Sequence, residues 1–106
     1  MNRIVLRSQN YIQIVPLNEI IYCQSEASYT IFFLTDNRKV TVSKSIRKYE
    51  ELLPVSFLRC HQSYLVNQVF IQKYHKNGFL ILKNDVEIPV STRKKKTIID
   101  ILVSDQ

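Results

Sequence analysis

Residues 57–67 read Phe57-Leu58-Arg59-Cys60-His61-Gln62-Ser63-Tyr64-Leu65-Val66-Asn67, and this stretch decides the predicted fold. It begins with two apolar residues and ends with Tyr64-Leu65-Val66, whose residue types favour β-strands. Between these ends lie four polar side chains that a hydrophobic core does not require, namely Arg59, His61, Gln62 and Ser63. The stretch therefore predicts buried strands that hold a polar, hydrogen-bonding cluster rigidly at one end.

The residues before this stretch are dominated by strand patterns. Short apolar or alternating runs are bounded by polar turn residues, and Pro16 ends one of them because proline cannot donate to a ladder. A polar break at residues 25–28 and a turn at Asp36-Asn37 separate the later runs. The predicted strands cover residues 4–6, 11–15, 20–23, 29–35 and 38–42.

A helical pattern follows the last of these strands. Ile46, Tyr49 and Leu53 fall on one face of a helix, and a serine, Ser43 or Ser45, can cap its start. The next residue is a proline, which ends the helix because the residue before proline avoids helical angles. The sequence therefore predicts one short helix that depends on a sheet for its stability.

After the central stretch the pattern returns to strands, which we expect at residues 69–71, 79–82 and 86–90. Asn77-Gly78 contains the single glycine of the sequence and predicts a type I′ turn, in which both central residues need positive φ. Asn84-Asp85 predicts another turn. Residues 92–103 predict a helix capped by Ser91, although their β-branched residues are also compatible with a strand.

The many strand patterns and tight turns favour a mainly β fold of antiparallel sheets with one or two short helices. A chain of 106 residues that is 45% hydrophobic fits a single domain covering residues 1–106. No apolar run has the length of a membrane span or a signal peptide. Two cysteines are too few for a disulfide scaffold, so we expect a cytoplasmic protein with reduced thiols and no membrane partner.

Positive charge is concentrated in the middle and at the end of the chain. The net charge is +6, with two basic and three acidic residues in positions 1–37 and thirteen basic and six acidic residues in positions 38–106. Such an asymmetry favours a polyanionic partner, for example nucleic acid. A well-solvated basic surface without a partner explains the charge equally well.

The sequence lacks the patterns of most enzymes and metal sites. A single glycine excludes a glycine-rich phosphate loop, and the two histidines and two cysteines have no zinc spacing. Cys60 and His61 are neighbours on a predicted strand and point to opposite faces, which is unsuitable for proton transfer. We therefore expect no enzymatic activity, no cofactor and no metal. Cys60 is interpreted as a small buried side chain, with an oxidisable thiolate beside Arg59 and His61 as the alternative.

A basic run, Ser91-Thr92-Arg93-Lys94-Lys95-Lys96, lies at the predicted start of the last helix. Cations there oppose the helix dipole, each at a cost of about 0.3–1 kcal/mol. Four in succession favour a bound polyanion over a helix that only had to fold. The lysines would bind phosphates, Arg93 and Arg59 would suit guanine, and Gln62 would suit adenine.

An alternative from another class is a basic β module that binds RNA or a protein partner. Tyr and Phe rings would then stack on single-stranded bases. The six Tyr and five Phe residues are explained more simply as core and cross-strand pairs. Double-stranded DNA is therefore the favoured partner.

Four segments together resemble the LytTR family of DNA-binding domains: residues 16–22 (Pro16-Leu17-Asn18-Glu19-Ile20-Ile21-Tyr22), Tyr29-Thr30, residues 57–67, and Ile88-Pro89-Val90-Ser91-Thr92-Arg93. They follow the family's order over nearly the whole chain, and the Arg-x-His-x-Ser core of the central segment is the most specific. The resemblance implies elongated antiparallel β-sheets with short helices. It also implies a bacterial response-regulator output domain that binds direct repeats in promoter DNA. A receiver domain upstream, if the chain is a fragment, and a second copy on tandem sites are further implications.

In this family three loops carry the DNA contact and enter successive major grooves. They correspond here, by resemblance, to residues 25–29, 59–63 and 91–94. The sequence departs from the family at Gln62, where a basic residue is common, and in the first loop, which has Glu26 and lacks the usual Gly or Asn. Gln62 thus favours base reading over phosphate binding. The candidate DNA-contacting residues are Ser28, Tyr29, Arg59, His61, Gln62, Ser63, Ser91, Arg93, Lys94 and Lys95.

Overall fold

The computed structural model describes residues 1–104, which form ten β-strands and two α-helices. All strand pairs are antiparallel, and the extents of 42 × 26 × 24 Å make the molecule elongated. The predicted fold class is therefore confirmed. The elements are β1 (Arg3–Arg7), β2 (Ile12–Pro16), β3 (Ile20–Glu26), β4 (Tyr29–Leu34), β5 (Lys39–Val42), α1 (Ile46–Leu52), β6 (Phe57–His61), β7 (Tyr64–Asn67), β8 (Ile71–His75), β9 (Phe79–Leu82), β10 (Glu87–Pro89) and α2 (Lys95–Val103).

A five-stranded sheet in the order β5-β4-β3-β7-β6 is central to the fold, with a hydrophobic core on each face. The β1–β2 hairpin and α1 cover one face, where Phe32 and Tyr49 make an edge-to-face contact. The three-stranded sheet β10-β9-β8 and α2 cover the other, where Ile98 is buried. Burial on both faces explains why β3 begins with an unbroken apolar run rather than an alternating one.

Strand β3 is longer than the sequence pattern predicted. Ser25 and Glu26 pair with Thr30 and Tyr29, so the expected polar break at residues 25–28 shrinks to a two-residue turn. Ala27 in this turn has a φ of 54°. Backbone pairing with β4 thus outweighs the low strand propensity of the polar residues.

The strand expected at residues 69–71 is wrong at its start. Gln68–Phe70 form a 3₁₀ turn, and β8 begins only at Ile71. The buried side chain of Asn67 causes this turn, because its Oδ1 accepts from the Val69 N–H at 3.3 Å. Its Nδ2 also donates to the carbonyl oxygens of Leu17 and Ile20, at 3.2 and 2.9 Å.

The β8–β9 turn has a different geometry from the predicted type I′ turn. Gly78 has a φ of 102° and donates its N–H to the His75 carbonyl at 2.8 Å, but Asn77 does not have positive φ. The result is a three-residue loop that needs one left-handed residue at its end. By contrast, Asp36 and Asn37 both have positive φ, at 63° and 60°, in the predicted β4–β5 turn.

Both predicted helices form. Ser45 caps α1 by accepting from the Lys48 N–H at 3.3 Å, and the helix ends just before Pro54 as expected. The second helical segment begins with a 3₁₀ turn, Thr92–Lys94, and α2 follows from Lys95. Ser91 does not cap it with its side chain, which corrects that expectation, since the Lys94 N–H bonds to the Ser91 carbonyl instead. Neither helix of residues 1–104 has the length and apolar character to cross a bilayer.

Candidate nucleic-acid interface

Two hairpin turns lie side by side at one end of the five-stranded sheet. They are the β3–β4 turn at residues 27–28 and the β6–β7 turn at residues 62–63, and β3 is paired with both β4 and β7. The Ser25 N–H donates to the Ser63 carbonyl at 2.9 Å and joins the two hairpins. The first two predicted loops are therefore neighbours.

The third predicted loop lies against the second. The Ser91 N–H donates to the Cys60 carbonyl at 2.9 Å, which fixes the basic run beside the end of β6. Residues of both loops line a concave site of about 190 Å³, together with Glu50 of α1. We call this end of the molecule, formed by residues 27–29, 59–63 and 91–94, the loop end.

Arg59 is occupied by the loop that it belongs to. Its Nε donates to the His61 carbonyl at 3.0 Å and its Nη2 to the Gln62 carbonyl at 2.6 Å. Its Nη1 donates to Glu50 Oε1 at 2.7 Å, and its side chain is 18% exposed. The planar guanidinium group thus stabilises the conformation of the β6–β7 turn through three hydrogen bonds. The geometry therefore favours a positioning role for Arg59 over the guanine contact expected from the sequence.

His61 presents one ring nitrogen outward. Its Nδ1 accepts from the Ser63 N–H at 3.1 Å, so the neutral ring carries its proton on Nε2. The ring is half-buried and meets Tyr64 edge to face, with centroids 5.7 Å apart. The fixed ring can thus offer a donor to a base edge or a phosphate oxygen.

Gln62 and Ser63 complete the β6–β7 turn. Gln62 is exposed, and within residues 1–104 its carboxamide has no hydrogen-bond partner. Ser63 is half-buried, since its backbone bonds both to His61 and to Ser25. The turn therefore leaves the amide of Gln62 available to an incoming ligand.

The cations of the basic run have separate surroundings. Arg93 is exposed, and among the described residues it has no ion-pair partner. Lys94 is half-buried and lines the concave site beside Arg59. Lys95 lies across Gly78, with its Cε 2.7 Å from the position that a Cβ would take there. Lys96 pairs with Asp100 at 2.8 Å. Arg93 and Lys94 are thus the two cations of the basic run that line the concave site of the loop end.

The first loop is at the same end but outside the concave site. Ser28 is exposed and Tyr29 is 52% exposed. Tyr29 borders a second concavity with Arg7 and Ser43, and Thr30 Oγ1 donates to the Lys44 carbonyl at 2.8 Å. Arg7 and Lys44 are two nearby cations that the sequence did not single out, because neither belongs to a basic run.

Cys60 is fully buried on the strand that carries the loop. Burial raises the pKa of its thiol to about 12, and the charges of Arg59 and Lys94 only partly offset this effect. A thiolate is therefore disfavoured at neutral pH, which supports the interpretation of Cys60 as a small apolar side chain. Cys23 belongs to the core on the opposite face, and burial raises its pKa as well.

Comparison with known proteins identifies the family. The sequence matches the family model of the LytTr DNA-binding domain over residues 10–102. It is 30% identical over 88 residues to the transcriptional regulatory protein YpdB of Escherichia coli O6:H1, and 33% identical over 89 residues to YpdB of Escherichia coli K12. Each match covers 78% of this chain and 36% of the relative, so the chain spans about a third of the length of these relatives.

A solved LytTr DNA-binding domain from Bacillus cereus has the same fold. It superposes with a TM-score of 0.84 at 23% identity, covering 97% of this chain and 98% of that chain. The resemblance seen in the sequence is confirmed by both comparisons. The family model covers most of the chain, from the β1–β2 turn into α2. The chain therefore belongs to the family of LytTr DNA-binding domains.

Proposed function

We propose that this domain binds double-stranded promoter DNA in a sequence-specific manner, as the output domain of a bacterial transcription regulator. The observation that carries the proposal is the hydrogen bond from the Ser91 N–H to the Cys60 carbonyl. This bond holds the segment with Arg93 and Lys94 beside the β6–β7 turn, whose His61 and Gln62 line the same concave site. Phosphate binding and base reading both need such groups in a fixed arrangement.

Each group at the loop end has a distinct role in this proposal. Lys94, with support from Lys95, neutralises phosphates without regard to sequence. Arg93 offers its fork to guanine O6 and N7, and the Gln62 carboxamide offers a donor and an acceptor to adenine. His61 donates from Nε2 to a base or a phosphate. The hydroxyls of Ser28, Tyr29, Ser63 and Ser91 are proposed to contact the DNA backbone.

The arrangement on DNA is part of the same proposal. The loops of one domain enter successive major grooves, and a second copy occupies the next of two direct repeats. A receiver domain upstream, in a longer cytoplasmic protein, would control access to the promoter. The greater length of the curated relatives is in keeping with such an additional domain.

Selection of bound duplexes from a random pool tests the proposal. We expect the selected duplexes to share a motif repeated in one orientation, and their affinity to fall steeply with added salt. Fluorescence anisotropy then compares one selected duplex with its single strands and with RNA of the same sequence. Selected duplexes without a common motif, or tighter binding to the unpaired strand or to RNA, would contradict the proposal.

A further inference from the structure

A cleft lies at the opposite end of the five-stranded sheet from the loop end. Its volume is about 530 Å³, and it separates the β4–β5 turn from the three-stranded sheet. Strand β4 runs from Tyr29 at the loop end to Leu34 at this cleft, so DNA on the loops leaves the cleft accessible. Clefts of roughly 300–1,000 Å³ have the size that small organic ligands need. We call this site the intersheet cleft.

Aromatic and aliphatic side chains line the interior of the intersheet cleft. The Tyr22 and Phe33 rings stack with centroids 4.3 Å apart and planes within 8° of parallel. Phe70 and Val86, which flank β8 and β9, line the other side. Phe33, Phe70 and Val86 are only half-buried, so apolar surface remains in contact with water. A flat apolar molecule would gain free energy by covering this surface.

The rim of the cleft is positively charged. It carries three cations, Arg38, Lys39 and Lys83, against one carboxylate, Asp36. Glu19 pairs with Arg38 at 2.6 Å, whereas Lys39 and Lys83 have no ion-pair partner within residues 1–104. The Lys39 Nζ lies 5.3 Å from the centroid of Phe33. A positive charge that is unpaired within the described chain thus lies beside a half-buried aromatic ring.

From this combination we propose that the intersheet cleft binds a small organic anion with a flat apolar body, such as an aromatic carboxylate or sulfonate. The ring system of the ligand packs on Phe33 and Val86, while Lys39 and Lys83 hold its acid group. Like charge works against a second copy of this chain as the occupant, because the net charge is +6. The site is independent of the DNA-binding proposal and has its own test.

The test uses anilinonaphthalene sulfonate, an anion with a flat naphthalene ring system whose fluorescence rises in apolar surroundings. We expect saturation at one site per chain, and binding roughly tenfold weaker when Lys39→Gln and Lys83→Gln are combined. The matched control combines Lys73→Gln in β8 with Lys76→Gln in the β8–β9 turn, two exposed lysines outside the cleft whose loss should leave the affinity unchanged. The uncharged analogue without the sulfonate should bind equally to all three proteins.

Amide chemical shifts of the unmodified protein give a second readout that needs no variant. We expect the dye to shift the signals of Phe33, Lys83 and Val86, and to leave those of Arg93 and Lys94 in place. Equal weakening in both double variants, or shifts spread over the basic surface, would overturn the proposal. Tighter binding by a short acidic peptide carrying one Phe would also overturn it, by assigning the cleft to a protein segment.

Discussion

At the scale of single residues, two arginines of the loop end differ in what surrounds them. Arg59 donates to two carbonyl groups of its own turn and to Glu50, whereas Arg93 is exposed and without an ion-pair partner in the described chain. The sequence offered both as guanine readers. It did not show the partners of Arg59, because Glu50 is brought to β6 only by the packing of α1.

Glu50→Gln distinguishes the two possible roles of Arg59. If Arg59 positions the turn, loss of the Glu50 carboxylate should weaken duplex binding by about 0.5–1 kcal/mol, since a partly exposed ion pair has about that strength. If Arg59 instead contacts DNA, the same change should tighten binding, because it frees a cation and removes a negative charge. Anisotropy titration with one selected duplex shows whether Glu50→Gln weakens or tightens binding.

Glu51→Gln is the matched control for this change. Glu51 is also exposed on α1 but has no ion-pair partner in residues 1–104. Its neutralisation alters the net charge by the same amount and should tighten duplex binding slightly. Equal effects from both substitutions would show that the Glu50–Arg59 pair is unrelated to the shape of the turn.

Arg93→Ala is expected to cost about 1–3 kcal/mol of binding free energy and to relax the choice of base at one position. The reason is the loss of the Arg93 guanidinium group, which can donate two hydrogen bonds to a guanine edge. Repeating the duplex selection with the variant measures the change in preference. An unaltered consensus would remove Arg93 from the reading residues and leave it with a phosphate contact only.

At the scale of secondary-structure elements, two consecutive residues fix the basic run to both sheets. The Val90 N–H donates to the Gly78 carbonyl in the β8–β9 turn, and the Ser91 N–H donates to the Cys60 carbonyl at the end of β6. Local patterns predicted α1, a serine cap at Ser43 or Ser45, and the position of the β8–β9 turn, although not its type. They did not predict these two bonds, since their partners are distant in sequence and meet only when the sheets pack.

Gly78→Ala should destabilise the fold by about 1–2 kcal/mol, because a φ of 102° is strained for a residue with a Cβ. The new methyl group would also meet the Lys95 side chain. Urea unfolding monitored by circular dichroism measures the loss. A second comparison in a Lys95→Ala background separates the two causes, since only the contact with Lys95 is relieved there. An unchanged free energy of unfolding for Gly78→Ala would contradict the prediction that a residue with a Cβ is strained at this turn.

At the scale of the whole molecule, the fold class and the family could be predicted from the sequence. Which lysines of the basic run lie at the loop end could not. Strand patterns and the central stretch were sufficient for antiparallel sheets, as the structure confirms. The sequence separated Arg93, as a guanine reader, from the lysines, as phosphate binders, but it did not separate Lys94 from Lys95. Tertiary packing separates those two, because Lys95 lies on Gly78 whereas Lys94 lines the concave site beside Arg59.

Lys94→Ala tests how the overall charge contributes to binding. We expect weaker binding to all duplexes alike, and a slope of log affinity against log salt that is lower by about 0.9, since one phosphate contact is lost. Lys83→Ala, at the far end of the sheet, removes the same charge and should leave the slope as it is. The same reduction in both variants would indicate an effect of net charge rather than of the loop end.

Strand β3 contributes to the cores on both faces of the central sheet, with Ile20 and Cys23 in one and Ile21 and Tyr22 in the other. Neither core can therefore be lost while the other stays intact. We expect heat to melt the protein in one step, with calorimetric and van't Hoff enthalpies that agree. Hydrogen exchange in α1 and in the three-stranded sheet should follow the same transition, although these elements lie on opposite faces.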